Sequence, residues 1–563
     1  MSTISTSYYQ RAIDLADASK VEAELQSLIN RSIDSVTDLE KWLKDEFNLG
    51  QRIEEVFVGH MVDFYRDTTN EEKKQRHLQD QAVIQPMLLK YQAELDRKFT
   101  ENPHTKDLDE KKYGIMRKVR ATNLELFREE NVPLIVREQE IVTRYNELIG
   151  GLMVEWEGGT KPLPDVQALL DSPNQSIRER AWKAIRAAHH PIKQEIDKMM
   201  DELVQLRTQI AQNAGFANYR DYAFREKNRE YSVDDCKRFH AAVEKFVVPV
   251  WDGVVEDLRQ QLGADTYRPW DQSAWTIDKP PYTEIEELTT GVETMLRETD
   301  PEFAEIFVNM RDNGLLDLGG RQGKAPGGFN VGLPISRSSF VFANFSPSYF
   351  ALIALVHEMG HAINGAFQMR KEQEWVPHRS EVAELFSHGM ELLCLDKLNE
   401  FYRDPVQYRA AVGERIRRSF NMLMGPLSGD LFQHWMYENP NHTAAERDEM
   451  YGKIMKRFGA HPVDYSGLED ELGSGWIQSI HFMAYPFYNI EYSMAELGAL
   501  QLLQNYRNDK VQAIAGYKRG AGADYNQSIA GVYAETGVQF DFSDEAIEKT
   551  AQFVVQLWNT MGE

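Results

Sequence analysis

Apolar residues recur at three- and four-residue spacing through most of the chain, set among Glu, Lys, Gln and Arg. This period predicts helices over 19–47, 50–97, 106–130 and 132–156, and again over 176–213 and 233–262. Prolines at 133, 162, 164, 173 and 191 punctuate the pattern and are expected at helix ends or turns. One stretch, 318–346, departs from it. Its Gly, Pro, Ser, Val and Phe content predicts a strand at Ser338–Phe345, with Phe329–Leu333 pairing to it as a hairpin. The apolar run from Tyr349 to Val356 then opens a buried helix. A second irregular stretch, 459–479, carries Gly459, Pro462, Gly467, Gly473 and Gly475 and reads as a loop able to move. The expected fold is mainly α with a small sheet. A boundary near residue 190 would divide an N-terminal helical lobe, 1–190, from a catalytic domain, 191–563.

Composition narrows the function. Hydrophobic residues make up 42% of the 563 residues and charged residues 27%, enough apolar material for a large core. The formal charge of −25 repels nucleic acid and anionic membranes, so neither is expected as a partner. It serves solubility first and favours basic peptides only weakly. Two cysteines, Cys236 and Cys394, are too few for a disulfide framework or a cysteine-rich zinc site. The first residues, MSTISTSYYQRAIDLADAS, lack a basic segment followed by an apolar one, and the run 349–356 is too short to span a bilayer. A soluble, cytoplasmic protein is expected.

The chemistry gathers at HEMGH, residues 357–361. On a helix His357 and His361 lie one turn apart on one face and can bind one zinc ion. Glu358, rotated about 100° from His357, can reach a water on the metal without ligating the metal itself. A catalytic zinc needs a third protein ligand and one open position. The metzincin pattern would require a glycine at position 364 and a histidine at position 367; the chain has Asn364 and Phe367 instead. A carboxylate from the next helix, 378–393, is the alternative. That segment carries Glu381, Glu384, His388 and Glu391 at three- and four-residue spacing. Further on, HFMAYPFYNIEY holds His481, Tyr485, Tyr488, Glu491 and Tyr492. A helix starting at Pro486 would leave His481 and Tyr485 in the preceding loop and put Tyr488 and Tyr492 on one face. Tyr and His donors of this kind can stabilise the oxyanion formed when an amide is cut. An aromatic stripe alone more often packs a core, and Glu491 reads as structural.

HEMGH, ELFSHGME and HFMAYPFYNIEY together resemble the thimet oligopeptidase and oligoendopeptidase F family of zinc peptidases, most of all its bacterial oligoendopeptidase F branch. KAPGGF (324–329) and SFVFANF (339–345) are similar to the family's segment ahead of the metal helix. The resemblance covers roughly 200–510. It implies an elongated helical shell around a deep channel that admits short peptides and excludes folded proteins. It implies one Zn2+ per chain, held by His357, His361 and Glu384, with Glu381 as second choice. Glu358 is then the general base, and His481 and Tyr492 match the oxyanion donors best, with Tyr485 and Tyr488 also in range. His388 departs from the family pattern and reads as a partner of the ligands or a surface residue. A strand edge near 324–345 would pair with substrate backbone.

The activity expected is therefore zinc-dependent hydrolysis of internal bonds in short unstructured peptides, with Glu358 assisting attack by zinc-bound water. Carboxypeptidase or dipeptidase action within the same family is the alternative, because no motif reports how the channel ends. A di-iron carboxylate protein would need a second Glu-x-x-His pair inside a helix; the one at Glu101–His104 contains Pro103. A helical peptide-binding protein with a closed structural zinc leaves Glu358 without a purpose. Oligomeric state is not legible.

Overall fold

The computed structural model describes residues 13–274, 280–325, 327–371, 379–460, 462–524 and 526–560. The N-terminal segment 1–12, Pro326 of KAPGGF and His378 at the head of the expected carboxylate helix lie outside them. Helix accounts for 74% of the structure and strand for 5%, so the mainly α reading holds. The chain divides into two units, each made of three separate segments. The first comprises Met1–Phe127, Pro280–Phe401 and Gln501–Phe540; the second comprises Arg128–Lys279, Tyr402–Leu500 and Asp541–Glu563. The boundary expected near residue 190 falls inside one helix, Gln175–Asn213, which runs through Pro191.

Caps and turns, which periodicity does not report, move several helix ends. The segment expected as one helix over 19–47 forms Ala18–Asn30 and Val36–Arg66. Ser35 starts the second by accepting from the Asp38 backbone N–H at 3.1 Å. The segment over 50–97 is interrupted again where Asn70 caps Glu71–Gln79. The helix predicted over 132–156 ends at Gly150. Its last residues instead form strand β1, Met153–Trp156, antiparallel to β2, Gly159–Pro162. Glu157 and Gly158, with φ of 52° and 83°, make the tight turn that a two-residue hairpin requires. The 233–262 segment splits at Val247 into Val233–Phe246 and Val248–Gln261.

The predicted hairpin is present in the first unit. Strand β3, Leu316–Gly319, was not anticipated; β4 is Phe329–Leu333 and β5 is Ser338–Phe345. The order is β3-β5-β4, with β3 parallel and β4 antiparallel to β5. Strand β5 is thus paired on both sides. The edges left to pair with an extended chain belong to β3 and β4 rather than to the 338–345 strand. Lys324, whose side chain is fully buried, donates to the Gly319 carbonyl and to Asp317, both at 2.9 Å, and so ties its own stretch of chain to β3.

The sheet leads into the helix Tyr349–Gln368 (the motif helix), capped by Ser348, which accepts from Ala351 N at 3.2 Å. Leu352, Ile353, Leu355, Val356, Met359 and Ile363 are buried along it. Each such side chain contributes roughly 1.5–3 kcal/mol, enough together to anchor a helix that carries polar groups on its other face. Among the described residues no helix is long and apolar enough to cross a membrane.

Candidate metal centre

The motif helix packs against Ser380–Leu393 (the carboxylate helix). Gly360 lets them approach: a Cβ there would stand 2.5 Å from Ser387 Cα and 2.6 Å from the Phe386 carbonyl. Any larger residue would push the two helices apart. Two tyrosines also hold the carboxylate helix. Tyr517 Oη donates to the Phe386 carbonyl at 2.8 Å and Tyr533 Oη donates to the Glu381 carbonyl at 3.0 Å. Asn364 and Gln368 donate to the Ala521 carbonyl at 3.1 and 2.8 Å and fix the far end of the motif helix. Asn330 of β4 donates to the Glu358 carbonyl at 3.2 Å, tying the sheet edge to the motif.

This packing brings His357, His361 and Glu384 together. Glu384 Oε2 lies 3.5 Å from His357 Nε2 and 3.6 Å from His361 Nε2. Three ligands about 2.1 Å from one tetrahedral zinc stand roughly 3.4 Å from each other, so these donors fit the ion. The two imidazole rings are 4.9 Å apart and nearly perpendicular. Glu391 Oε1 is 2.7 Å from His357 Nδ1, and Ser387 Oγ donates to Glu384 Oε2 at 2.9 Å. Such supports orient a ligating ring or carboxylate. Spacing placed Glu391 only among the acids of its helix; its bond to His357, and that of Ser387 to Glu384, depend on the helix-to-helix register. Glu381 is buried one turn away and does not join the two histidines. His388 is buried, not on the surface, with Nε2 3.9 Å from Glu384 Oε2.

The electrostatics follow from the carboxylates. Burial disfavours a charge on His357, but Glu391, Glu384 and Glu358 outweigh it and hold its pKa up to about 9 in the metal-free protein. Burial raises the Glu358 carboxyl above its usual range; the charge of His357 opposes this and Glu384 and Glu391 reinforce it.

The second unit carries His481, Tyr485, Tyr488 and Tyr492 as one cluster. His481 Nε2 is 3.4 Å from Tyr492 Oη, and the His481 ring lies 5.6–6.1 Å from the three tyrosine rings. The local structure differs from expectation. His481 sits on a short helix, Ile480–Ala484, and the long helix begins at Asn489, not at Pro486. Phe487 adopts a φ of 60°, which turns the chain and leaves Tyr488 just ahead of the helix, with its ring still 5.0 Å from that of Tyr492. Glu491 is buried against Arg229 at 3.0 Å, a structural pairing. The 459–479 segment, expected as a loop, contains the short helices Glu469–Gly473 and Ser474–Gln478.

The model of peptidase family M3 matches residues 168–529. A curated relative, the oligoendopeptidase F homolog of Mycoplasma pneumoniae, is 22% identical over 374 residues, 63% of this chain. The chain spans 60% of that relative's length. Among solved structures, PZ peptidase A with a bound inhibitor superposes with a TM-score of 0.89 at 22% identity over 98% of each chain. A protein provisionally assigned as oligoendopeptidase F superposes with a TM-score of 0.91 at 23% identity, also over 98% of each. Those two likenesses establish the shared fold.

Proposed function

We propose, since the chain belongs to peptidase family M3, that it is a zinc-dependent oligopeptidase cutting internal bonds of short unstructured peptides. The observation that carries this reading is the convergence of His357, His361 and Glu384 within 3.5–3.6 Å, with Glu358 next in the chain. His357, His361 and Glu384 would hold the ion, which when bound supplies Lewis acidity toward water and the scissile carbonyl.

This chain's residues do the rest. Glu391 holds His357 through Nδ1 and thereby presents Nε2 as the ligating nitrogen. Ser387 Oγ donates to Glu384 Oε2, the oxygen that faces the two histidines, and so fixes its position. The Glu358 carboxylate accepts the proton of the attacking water and returns it to the leaving amine, acting as base and then as acid. His481 and Tyr492 donate to the oxyanion, with Tyr485 and Tyr488 as further donors. The β4 edge takes an extended peptide by main-chain hydrogen bonds, which suits a substrate range broad in side chains.

Hydrolysis of internally quenched peptides of graded length, with chelator and with zinc restored, tests the reading. Chelator-sensitive cuts inside short peptides, with folded proteins left whole, are expected. Release of only terminal residues or dipeptides would move the activity to a carboxypeptidase or dipeptidase. No cleavage by zinc-loaded protein would overturn it.

A further inference from the structure

A second group of potential ligands lies wholly inside the second unit. Helix Val233–Phe246 carries Cys236 and His240, and helix Pro405–Glu438 carries Asp430 and His434. Each pair is spaced four residues apart and so shares one helix face. The two helices pack together, and all four residues are sealed from solvent, none more than 3% exposed. Cys236 Sγ, an Asp430 carboxylate oxygen and a His434 ring nitrogen lie within 4.8 Å of one another. His240 Nε2 stands 2.9 Å and His434 Nε2 3.2 Å from Asp430 Oδ2.

The polar atoms of this group are poorly met by protein. Asp430 Oδ1, His240 Nδ1 and His434 Nδ1 have no hydrogen-bond partner among the described residues. Burying such groups without partners is costly, and an orphaned set of metal-ligating atoms facing one point needs a reason. The surroundings offer none: Phe224 and Phe487 pack edge-on against His434 at 5.9 and 5.4 Å. Arg229, the cation whose field reaches Cys236 and Asp430, bonds Glu491 at 3.0 Å and stacks on Phe224 at 4.3 Å, and its Nε and Nη1 donate to none of the four residues.

We propose that Cys236, Asp430 and His434 form a second metal site that binds one zinc ion and locks these two helices together. Cys236 Sγ, Asp430 Oδ1 and one imidazole nitrogen of His434 are the protein ligands, and a water fills the fourth position. His240 is a positioning residue: it holds Asp430 through Oδ2 and leaves Oδ1 for the ion. The donor set of thiolate, carboxylate and imidazole suits zinc and not magnesium or calcium. Charge balances: Zn2+ binds with loss of the Cys236 thiol proton to solvent, and thiolate plus carboxylate neutralise the ion, so no net charge is buried. Although one ligand is a water, the burial of all four residues keeps substrate from the ion, so its role is to hold the helices. The inference stands apart from the peptidase reading, since it uses none of that site's residues.

The test is metal content and spectroscopy of the full-length protein loaded under reducing conditions. Zinc is expected at two equivalents per chain, falling to one in a His357→Ala/His361→Ala variant. The cobalt(II)-loaded protein is expected to show thiolate-to-metal charge-transfer absorption. HEMGH and Glu384 include no cysteine, so that band reports the second site alone. Cys236→Ser should abolish the band and keep peptidase activity, and Cys394→Ser should leave both. If Cys236→Ser does not fold, the wild-type stoichiometry and spectrum still decide. One equivalent of zinc, with no thiolate band in the wild-type cobalt protein, would overturn the proposal and leave a buried imidazole–carboxylate network.

Discussion

Two pairs of packed helices in this molecule are built alike and differ in exposure. In the first unit, His357 and His361 face Glu384; in the second, Cys236 and His240 face Asp430 and His434. Each uses four-residue spacing to aim two ligating side chains across a helix interface. The first leaves its imidazole side chains 17% and 21% exposed, whereas the second exposes none of its four by more than 4%. The first set also has a carboxylate, Glu358, beside the ligands that is not needed to hold them. An approachable set with a spare base suits a reaction on a substrate, and a sealed set without one suits structure. Exposure and the spare carboxylate separate the two roles; spacing does not.

The contrast can be broken at four points. The largest effect is expected from Glu358→Gln, which should keep bound zinc and lower kcat by about 10²–10⁴-fold. Zinc retained together with wild-type turnover would make Glu358 as idle as any packing residue. Next, Glu384→Ala should lose the HEMGH-site zinc while Glu381→Ala keeps it, read by metal analysis after dialysis; the reverse would transfer the ligand role to Glu381. A smaller loss is expected from Glu391→Gln, which removes the charged partner of His357 Nδ1: about 10–100-fold in zinc affinity at this site, measured by competition with a chromophoric chelator. An unchanged affinity would show that the 2.7 Å pairing does not tune the ligand.

The smallest effect concerns pH. In metal-free protein the folded pKa of His357, about 9, exceeds its ordinary 6.5. The stability this adds is complete below about 6.5 and is lost as pH rises through 9. Melting curves of chelated protein should therefore fall by a few degrees between pH 6.5 and 9. Zinc-loaded protein should not follow, because a coordinated imidazole has already lost its proton. Parallel curves for the two forms would remove His357 from this account.

The site was legible where local spacing carries the chemistry. HEMGH on an apolar helix places His357, Glu358 and His361 by helix geometry alone. Residue spacing left Glu381 and Glu384 as rivals, and the family resemblance favoured Glu384. The structure brings Glu384 to the histidines because Gly360 admits the carboxylate helix at one register. The hairpin 329–345 was equally legible from its Val and Phe content among Gly, Pro and Ser. The parallel strand β3 was not, since Leu316–Gly319 is too short to signal without its partner. Around Pro486 a local rule misled, because Phe487 at positive φ delays the helix by three residues.

The sequence by itself determined the mainly helical class, the motif helix, the β4–β5 hairpin and two histidines on one helix face. Each follows from interactions within a few turns of the chain. Only the tertiary structure decided which carboxylate meets those histidines, that His388 is buried, that β4 and not β5 is an edge, and that Cys236 shares a sealed space with Asp430 and His434. Those facts join residues tens to hundreds of positions apart. Packing between helices sets such meetings, and no periodicity within a helix encodes the register at which it will meet another.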